Sequence, residues 1–402
     1  MKKKVYLTTN GCKRREIDIS RITDYFKRNE YAIISDPRKA DYIVFVTCSF
    51  IKLKENECIE RIKEFLKYKG KLIVAGCLPG IAPERLKEIF SGDVIVTRNL
   101  EKIDEIFCNL PLRFDQIPDA NFFCTIGRPF DKFVLNINPN INFFKKSLRY
   151  LSDSFYSLYR GLFYGEKVLP ACLRIGWGCI ENCSYCNIRN AVGKLKSKII
   201  DELVEEYKSL LEKKYRYFYF TADNLGLYGL DIKSNLPELI NALSLVDRGI
   251  PVRWFFDQLH PRWIKKYEDF LCKQVSENRF THISVPIQSG SNRILTLMSR
   301  HHTIDEVSEI LIKFRRLDKK IILLSHVIIG FPSETEEDFM ATLDALRLIK
   351  FDFVSLYPYY DSYGSVASQM PDKIDFSTIE RRMKIAGDTL RKDGILFSYC
   401  NF

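Results

Sequence analysis

The sequence lacks any run of eighteen or more apolar residues, and its first residues have no apolar segment of the kind that directs secretion. The first absence excludes an ordinary membrane-spanning helix, which needs about 20 such residues. Because of the second, we expect residues 1–7 to lead into a first strand rather than to form a signal peptide. We therefore expect a cytoplasmic protein. In a reducing compartment, its twelve cysteines are expected to be thiols and metal ligands rather than disulfides.

The balance of charged residues indicates which kinds of binding partner the protein can have. The 402 residues contain 62 Lys and Arg against 51 Asp and Glu, a formal net charge of +11. Such an excess permits a polyanionic partner, but a solvated basic surface explains it equally well. Hydrophobic residues make up 46% of the chain and charged residues 28%, which is the mixture of a globular protein, and the length suits two or three domains.

Three cysteines stand close together in the segment GCIENCSYC, residues 178–186, with the spacing C-x3-C-x2-C. The apolar run before them predicts a strand that leads into this loop. Three thiolates supply three of the four ligands that a cubane iron–sulfur cluster usually takes from cysteine, and one iron then stays open to a substrate or cofactor. The alternative is a chance group of buried thiols. We call this set, which consists of Cys179, Cys183 and Cys186, the loop triad.

Residues 1–108 alternate between strand and helix patterns and form the first predicted domain. Continuous apolar strands between amphipathic helices favour an α/β fold with a doubly wound parallel sheet. The predicted strands are 5–9, 41–47, 71–75 and 93–96. The predicted helices are 15–27, 55–68, 83–90 and 101–108.

Cysteines also follow the first three of these predicted strands. Cys12, Cys48 and Cys77 each stand where a strand ends, and we call them the sheet triad. The loops that leave the carboxyl ends of parallel strands line one crevice, so three thiols from distant positions are expected to meet there. Gly11 and Gly76 allow the backbone to approach closely. The alternative is three unrelated buried residues, because free cysteine is often buried.

Residues 109–168 break the alternation with prolines and asparagines and are predicted to connect two domains. Within them, residues 143–160 are aromatic and basic, with apolar side chains at helical spacing, which predicts an amphipathic helix. Such a helix docks one domain on another, binds nucleic acid or an anionic peptide, or lies on a membrane surface. Docking of one domain on the other is the simplest of these roles, because it requires no partner outside the chain.

A second alternation of strands and helices fills residues 169–402, the third predicted segment. Six strand–helix units of this length fit an open, partial (βα)6 barrel, in which the carboxyl ends of the strands carry the site. The predicted strands are 172–177, 217–221, 252–256, 281–285, 322–328 and 353–357. The predicted helices are 199–214, 234–246, 261–273, 304–317, 335–349 and 376–393.

The loop triad, with Tyr185 before its last cysteine, resembles the signature of the radical S-adenosylmethionine (SAM) superfamily. The segments TTNGC, ADYIVFVTCSF and IVAGCLP around the sheet triad resemble the N-terminal domain of the radical SAM methylthiotransferases. The resemblance implies two [4Fe–4S] clusters, one on each triad, with SAM at the open iron of the loop triad. It leaves six cysteines unassigned, namely Cys58, Cys108, Cys124, Cys172, Cys272 and Cys400.

Four further segments resemble motifs of that family. ADNLGLYG at 222–229 is similar to G-Q-[ND]-x-x-x-Y-G, PIQSGS at 286–291 to P-x-Q-S-G-S, MSR at 298–300 to M-x-R, and IGFPSET at 329–335 to V-G-F-P-G-E-T. Amide, hydroxyl and guanidinium groups suit the polar parts of SAM, and glycine lets an adenine ring lie on the backbone. The SAM-binding residues implied by the resemblance are Tyr185, Asp223, Asn224, Gln288, Ser289, Arg300 and Gly330.

The chain departs from the family in several places. Ala222 and Asp223 replace the usual Gly and Gln, His326 replaces the usual acid, and the arginine of Y-S-x-R-x-G-T is missing from 359–365. We also expect no strand-rich C-terminal domain of the kind named TRAM, because the sequence shows no pattern for one. These departures leave the substrate open between tRNA and a peptide.

The family reaction implied by the resemblance has three stages. SAM is cleaved reductively to a 5′-deoxyadenosyl radical, which removes hydrogen from an unactivated C–H bond; sulfur from the sheet-triad cluster is inserted; and a second SAM methylates that sulfur. An electron donor such as flavodoxin or ferredoxin is required. Two alternatives remain: a radical SAM enzyme on a peptide or small molecule whose second cluster only relays electrons, and a non-catalytic iron–sulfur binding module.

Overall fold

A computed structural model describes residues 2–122 and 170–400. It contains two large parallel sheets that share no strand, and helices pack against each of them. The predicted amphipathic helix at 143–160 and most of the predicted connector lie outside the described residues. No helix within the described ranges is long and apolar enough to cross a membrane.

The first sheet has five parallel strands in the order β2-β1-β3-β4-β5. Its strands are β1 Lys4–Thr9, β2 Ala32–Ile34, β3 Tyr42–Thr47, β4 Lys71–Gly76 and β5 Asp93–Val96. This is a doubly wound order in which the direction of winding reverses between β1 and β3, the point where such sheets open a crevice. The four predicted strands are present. The short edge strand β2 was not predicted, because its three residues show no buried pattern of their own.

Helices cover both faces of this sheet, as a doubly wound fold requires. They are α1 Lys13–Arg28, α2 Lys52–Phe65, α3 Leu78–Ile81, α4 Pro83–Lys87 and α5 Ile103–Ile106. Alternate residues of β3 belong to different cores: Val44 packs with Ile22 of α1, whereas Phe45 packs with Phe65 of α2. Complete burial of each such side chain contributes about 1.5–3 kcal/mol, so both faces stabilise the sheet.

The second sheet is an open sheet of seven parallel strands in the order β14-β13-β12-β11-β10-β9-β6. Its strands are β6 Ala171–Arg174, β9 Tyr217–Thr221, β10 Arg253–Phe256, β11 Phe280–Ser284, β12 Ile322–Ile329, β13 Phe353–Pro358 and β14 Leu396–Tyr399. The six predicted strands are present. The seventh, β14, was not predicted, because four residues acquire strand character only by pairing with β13.

The first predicted strand of this sheet is divided in two. β6 belongs to the sheet, whereas β7, Gly176–Trp177, pairs antiparallel with β8, Lys196–Ser197. This two-stranded ribbon brackets the loop triad at its two ends. The sequence 172–177 reads as one apolar run, so the local pattern cannot show that the chain turns away from the sheet at Ile175.

The helices that cover the second sheet include the six predicted ones, but the structure divides 261–273 in two, and the short helices at 188–192 and 292–297 were not predicted. They are α6 Ile188–Val192, α7 Ile200–Glu212, α8 Leu236–Val246, α9 Pro261–Lys266, α10 Glu268–Ser276, α11 Asn292–Leu297, α12 Ile304–Leu317, α13 Glu336–Ile349 and α14 Phe376–Lys392. Thr303 caps α12 and Thr335 caps α13 through capping boxes that the sequence signals. The domain boundaries predicted at 108 and 168 remain predictions.

The carboxyl-terminal ends of the two sheets meet. Cys77 and Ile81 of the first half pack against Ala191 and Val192 of α6, the helix that follows the loop triad. On the other side of the contact, Tyr360 donates a hydrogen bond of 2.7 Å to the carbonyl of Phe50. The two cysteine triads therefore lie on facing sides of one interface.

Candidate active site

The loop triad begins at a position that only glycine fits. Gly178 has φ +83°, and a Cβ atom there would lie 2.0 Å from the carbonyl oxygen of Lys194. Its N–H donates to Asp223 Oδ2 at 2.9 Å, and the N–H of Cys179 donates to the carbonyl of Gly193 at 3.3 Å. The start of the loop is thereby fixed both to Gly193, which ends the helix after the triad, and to the segment that follows β9.

Ser184 anchors the middle of the loop, and sequence reasoning missed it. Its N–H donates to the carbonyl of Met298 at 3.0 Å, and its hydroxyl donates to that of Leu297 at 2.8 Å. Its own carbonyl accepts from the N–H of Ala367 at 2.8 Å. These bonds hold the backbone between the last two cysteines. A serine between two cysteines carries no signal of this role, since the partners are more than one hundred residues away.

The three thiols of the loop triad are electrostatic neighbours. Burial raises the pKa of Cys179, and the thiols of Cys186 and Cys183 raise it further. Burial raises the pKa of Cys186 to about 12, again with a contribution from Cys183. Closely spaced thiolates in a poorly solvated site require nearby positive charge, which the irons of a cluster supply. The donor set therefore fits an iron–sulfur cluster with one open iron.

The sheet triad joins three loops that are adjacent in the sheet. Cys12 precedes α1, Cys48 follows β3, and Cys77 follows β4 and begins α3. Burial raises the pKa of Cys48 well above its usual range, and the thiols of Cys77 and Cys12 raise it further. Burial also raises the pKa of Cys77 to about 11. The convergence predicted from the strand ends is thus present, and the same charge argument fits a cluster here.

Neither triad is compact enough to hold one bare ion. Across residues 2–122 and 170–400, no three His, Cys, Asp or Glu side chains are grouped in a way that would hold a single metal ion. A cubane cluster binds each cysteine to a different iron atom and so holds its thiolates further apart than one ion does.

Asn10 and Cys58 form the scaffold of the sheet triad. Asn10 Oδ1 accepts a hydrogen bond of 3.1 Å from the N–H of Cys48, and the Cys58 thiol lies 3.1 Å from the carbonyl of Cys48. Cys58 Sγ is also 3.3 Å from Asn10 Oδ1. Burial raises the pKa of Cys58 to about 12. Cys58 matched no family ligand, and the structure gives it the role of a buried hydrogen-bonding thiol beside a triad member.

Arg300 and Tyr185 flank the loop triad. Arg300 is buried, and its Nη1 lies 3.3 Å from the Tyr185 hydroxyl and 3.8 Å from Cys183 Sγ. Its Nη2 donates to the carbonyl of Pro286, whereas its Nε has no hydrogen-bond partner in the structure. Burial raises the pKa of Tyr185, so the phenol stays protonated. An unsatisfied buried N–H next to the open side of the triad suits an anionic group of a cofactor.

Gln288 offers a second unsatisfied group. It is buried and has φ +69°, which is uncommon for a side chain other than glycine. Its Oε1 has no hydrogen-bond partner among residues 2–122 and 170–400, while its backbone N–H donates to the carbonyl of His326 at 2.9 Å. The strained backbone and the free amide oxygen on the wall of a cleft are consistent with the predicted contact to SAM.

Asp223 and Asn224 hold the loop rather than face open space. Besides binding Gly178, Asp223 has its Oδ1 3.1 Å from Arg14 Nε of the first half. This ion pair accounts for the departure from the family's Gln. Asn224 Nδ2 donates at 3.3 Å to Glu181, a residue within the triad loop that sequence reasoning missed. Glu181 also accepts from Trp263 Nε1 at 2.9 Å, so the loop is fixed on this side as well.

Two other predicted SAM contacts have structural partners. The Ser289 hydroxyl is completely buried, 3.3 Å from Thr342 Oγ1, and accepts from the N–H of Ser291. Gly330 has φ +82°, and a Cβ atom there would lie 2.3 Å from the Ile379 side chain. Helix packing thus explains why glycine stands at this position, without a ligand. The predicted contacts of Ser289 and Gly330 with SAM remain predictions.

A cleft that is open to solvent lies between the two triads. Cys186 and Tyr185 line one side of it, and the residues that follow Cys48 line the other. Burial raises the pKa of Tyr360, and both Cys48 and Cys186 act on this phenol electrostatically. The Tyr360 side chain is therefore an electrostatic neighbour of both triads. The cleft is lined by Ser49, Phe50, Ile51, Ile81, Tyr185, Cys186, Asn187, Ile188, Gln288, His326, Ile328, Tyr357, Pro358, Tyr359, Tyr360 and Ser362.

Two known protein families match the chain, one in the region of the first sheet and the other in the region of the second. The Radical SAM superfamily pattern matches residues 173–346, and that of the uncharacterized protein family UPF0004 matches residues 4–97. Among solved structures, the radical S-adenosylmethionine methyltransferase TsrM from Kitasatospora setae is similar over 89% of this chain and 75% of its own, with a TM-score of 0.57 and 13% identity. The cobalamin-dependent radical enzyme OxsB matches 99% of this chain and 58% of its own, with a TM-score of 0.54 and 14% identity. These two likenesses concern the fold alone.

Curated relatives match nearly the whole chain. A Methanocaldococcus jannaschii protein named "Probable threonylcarbamoyladenosine tRNA methylthiotransferase" is 30% identical over 405 aligned positions, which cover 100% of this chain and 85% of that protein. The ribosomal protein uS12 methylthiotransferase RimO of Clostridioides difficile is 31% identical, with coverage of 94% and 80%. A tRNA-2-methylthio-N(6)-dimethylallyladenosine synthase of Thermotoga petrophila is 27% identical, with coverage of 94% and 80%. With both cysteine triads in place, these matches show that the chain is an enzyme and belongs to the radical SAM methylthiotransferase family.

Proposed function

We propose that this enzyme inserts sulfur into an unactivated C–H bond of an adenosine beside the tRNA anticodon and methylates that sulfur. The observation that carries the choice of substrate is the lining of the cleft between the two triads. It is aromatic and uncharged: among the described residues that line it, none is Lys, Arg, Asp or Glu. Such a lining suits a flat, neutral ring.

Stacking is the main interaction that this lining offers. Phe50 and Tyr357 pack edge to face with ring centroids 6.0 Å apart, and His326 lies 5.6 Å from Tyr357. A base stacked on such rings gains about 1–3 kcal/mol. Burial lowers the pKa of His326 to about 4, so its imidazole is neutral at pH 7 and can donate or accept a hydrogen bond at a base edge.

A protein substrate is the second candidate, because one relative is named for ribosomal protein uS12. A side-chain carboxylate that enters this cleft would lose its water and find no cation among the lining residues. Burying an unpaired charge costs free energy, whereas a neutral nucleobase has no charge that must lose its hydration. Relatives named for modified adenosines of tRNA and relatives named for ribosomal protein uS12 are similar to the chain to the same degree, so the choice of tRNA rests on the cleft lining.

The loop triad is assigned the cluster that binds SAM. Cys179, Cys183 and Cys186 would hold its irons, while Arg300 Nε and Gln288 Oε1 would meet polar groups of SAM. When bound, this cluster and SAM supply a carbon-centred radical that removes hydrogen from an unactivated C–H bond. An external electron donor such as flavodoxin or ferredoxin is part of the proposal.

The sheet triad is assigned a second cluster that supplies sulfur. Cys12, Cys48 and Cys77 would hold it, and Asn10 and Cys58 keep Cys48 in place. Tyr360 reaches from the cleft to the carbonyl of Phe50, two residues beyond Cys48, and so connects the two sides of the cleft. A base that fills the cleft would displace water from it and so protect a radical from side reactions.

Mass spectrometry of tRNA nucleosides and of proteins, from cells with and without the gene, tests the reaction and the substrate together. We expect one methylthioadenosine-type nucleoside to disappear with the gene and to return with the wild-type copy, but not with Cys183→Ala. Loss of a methylthio group from a protein instead would refute the choice of substrate. Unchanged tRNA and unchanged protein would refute the reaction.

A pair of tyrosine variants tests the role of the cleft. Tyr360→Ala removes a ring from the lining, whereas Tyr363→Ala removes an exposed ring that does not line it. We expect Tyr360→Ala to lower kcat/KM for tRNA by about tenfold or more, as loss of a stacking partner does. Tyr363→Ala serves as the matched control. Equal effects of the two substitutions would contradict the proposed placement of the base.

A further inference from the structure

A buried ion pair crosses the interface between the two halves of the chain. Arg14 Nε, on α1, lies 3.1 Å from Asp223 Oδ1 at the end of β9, and these side chains are only 19% and 4% exposed. Arg14 Nη1 also lies 3.5 Å from Asp257 Oδ2 and 3.4 Å from the carbonyl of Ala222. One guanidinium of the first half therefore serves three acceptors of the second.

Each partner of this pair is close in sequence or space to a cysteine of a different triad. Arg14 follows Cys12 by two residues. The second oxygen of Asp223, Oδ2, accepts the N–H of Gly178 at 2.9 Å, and Gly178 directly precedes Cys179. One ion pair and one hydrogen bond thus connect the sheet triad to the loop triad.

The backbone of Arg14 is itself held from the second half. Arg174 Nη2 donates to the carbonyl of Arg14 at 3.1 Å, and Arg174 Nη1 lies 2.6 Å from Asp18 Oδ1, one turn further along α1. With its backbone held, Arg14 can follow a movement of Asp223 only through its side chain, which also contacts Asp257 and the carbonyl of Ala222. The contact between Arg14 and Asp223 therefore restrains the position of the triad loop relative to α1.

Stability alone does not account for such an arrangement. A buried ion pair often contributes no more than well-packed apolar side chains would, because both charges lose their hydration. The ion pair fixes the relative position of the two halves of the chain at this point. An apolar contact there would allow the two surfaces to slide past each other.

We propose that Arg14 is a positioning residue that, through Asp223, fixes the start of the triad loop relative to the sheet triad. It keeps the two triads at the separation at which radical formation at one is followed by sulfur transfer from the other; this coupling rests on the proposed function. The fixing of the loop is a property of the protein itself and can be measured without turnover.

Hydrogen exchange of the peptide that contains Gly178 measures the fixing of the loop. Arg14→Met retains the length of the side chain and removes its charge, and we expect exchange there to accelerate by about tenfold or more. Asp223→Asn retains an acceptor for the Gly178 N–H but loses the pairing, and it should act in the same direction. Arg14→Lys keeps the charge and should restore most of the protection.

The matched control is Arg21→Met, on the same helix. Arg21 Nε donates at 2.8 Å to the carbonyl of Ile117 and its Nη2 donates at 3.1 Å to that of Phe114, and both acceptors belong to the core of the first half. It should leave exchange at Gly178 unchanged. If Arg14→Met fails to fold, the comparison of Arg14→Lys with Asp223→Asn still decides the question. Exchange that is unchanged in the variants, or raised equally in Arg21→Met, would overturn the proposal.

The coupling is read out by the ratio of 5′-deoxyadenosine to methylthiolated nucleoside. We expect this ratio to rise several-fold in Arg14→Met, because radicals would form without productive sulfur transfer. If the wild-type protein makes no methylthiolated product, the proposed function fails, while the exchange result stands by itself. If exchange changes but the ratio does not, the loop is fixed by Arg14 and the coupling is refuted.

Discussion

The two cysteine triads are built in opposite ways. The loop triad occupies eight residues of one loop, which its own glycine and serine hold in place. The sheet triad is spread over more than sixty residues and exists only because β1, β3 and β4 are neighbours in one sheet. The first is therefore specified by a short stretch of sequence, and the second by a whole domain. Changes in the loop should have local effects, whereas the sheet triad should fail only with its ligands or with the fold around it.

Removing a ligand of the loop triad should have the largest effect. Cys183→Ala is expected to abolish 5′-deoxyadenosine formation and to lower the iron content from about eight to about four per chain, because the sheet triad keeps its own cluster. Anaerobic reconstitution followed by iron analysis measures this. Cys272→Ala, a buried cysteine outside both triads, is the control. A wild-type content of about four irons would refute the two-cluster account.

The next largest effect should come from the glycine that opens the loop. Gly178→Ala places a Cβ atom 2.0 Å from the carbonyl of Lys194, so the loop must shift. We expect 5′-deoxyadenosine formation to fall by about tenfold or more, since about 1–3 kcal/mol of backbone strain is added at the site. Gly249→Ala has a similar φ of +80° but nothing within 4 Å, which isolates the effect of the clash. Equal losses in both variants would mean that φ alone matters.

A pH effect should arise in the cleft between the triads. Burial lowers the pKa of His326 to about 4, below the ordinary value of 6.5. Stability from burying the neutral ring is therefore present above pH 6.5 and is lost as the pH falls towards 4. Between pH 7 and 4.5, the free energy of unfolding should fall by about 2 kcal/mol more in the wild type than in His326→Asn. Urea unfolding at the two pH values measures this difference.

An exposed histidine provides the comparison for this prediction. His301→Asn should show the same pH dependence as the wild type. If His326→Asn also follows the wild type, protonation of His326 is not linked to folding, and the neutral ring assigned to the cleft lining is wrong.

The smallest effect should come from the scaffold of the sheet triad. Cys58→Ala removes a thiol that lies 3.1 Å from the carbonyl of Cys48, and we expect a loss of about 1 kcal/mol in the free energy of unfolding. The iron content should stay at about eight per chain. A fall to about four would instead make Cys58 a ligand, and the assignment of the sheet triad would have to change.

The two triads also show how far sequence alone reaches. The α/β class, the strands before Cys12, Cys48 and Cys77 and the convergence of these thiols followed from apolar runs and from the geometry of parallel sheets. The edge strands β2 and β14 did not, because a strand of three or four residues is defined by its partner.

Long-range partners limited the prediction of the site in the same way. The contacts of Ser184 with Leu297 and of Asp223 with Arg14 join residues more than one hundred positions apart. Gly330 shows the same limit: its motif suggests a surface for adenine, which stays a prediction, and no local pattern indicated that Ile379 packs against this glycine. Motifs predicted candidate site residues, and only packing shows what each one touches.

The substitution Cys48→Ala tests the division of labour between the triads most directly. It removes one ligand of the sheet triad and leaves every residue of the loop triad in place. In anaerobic turnover with SAM and tRNA, we predict that 5′-deoxyadenosine still forms while the methylthiolated nucleoside is absent. A methylthiolated product from Cys48→Ala at the wild-type level would contradict the account, because sulfur would then come from elsewhere than the sheet triad.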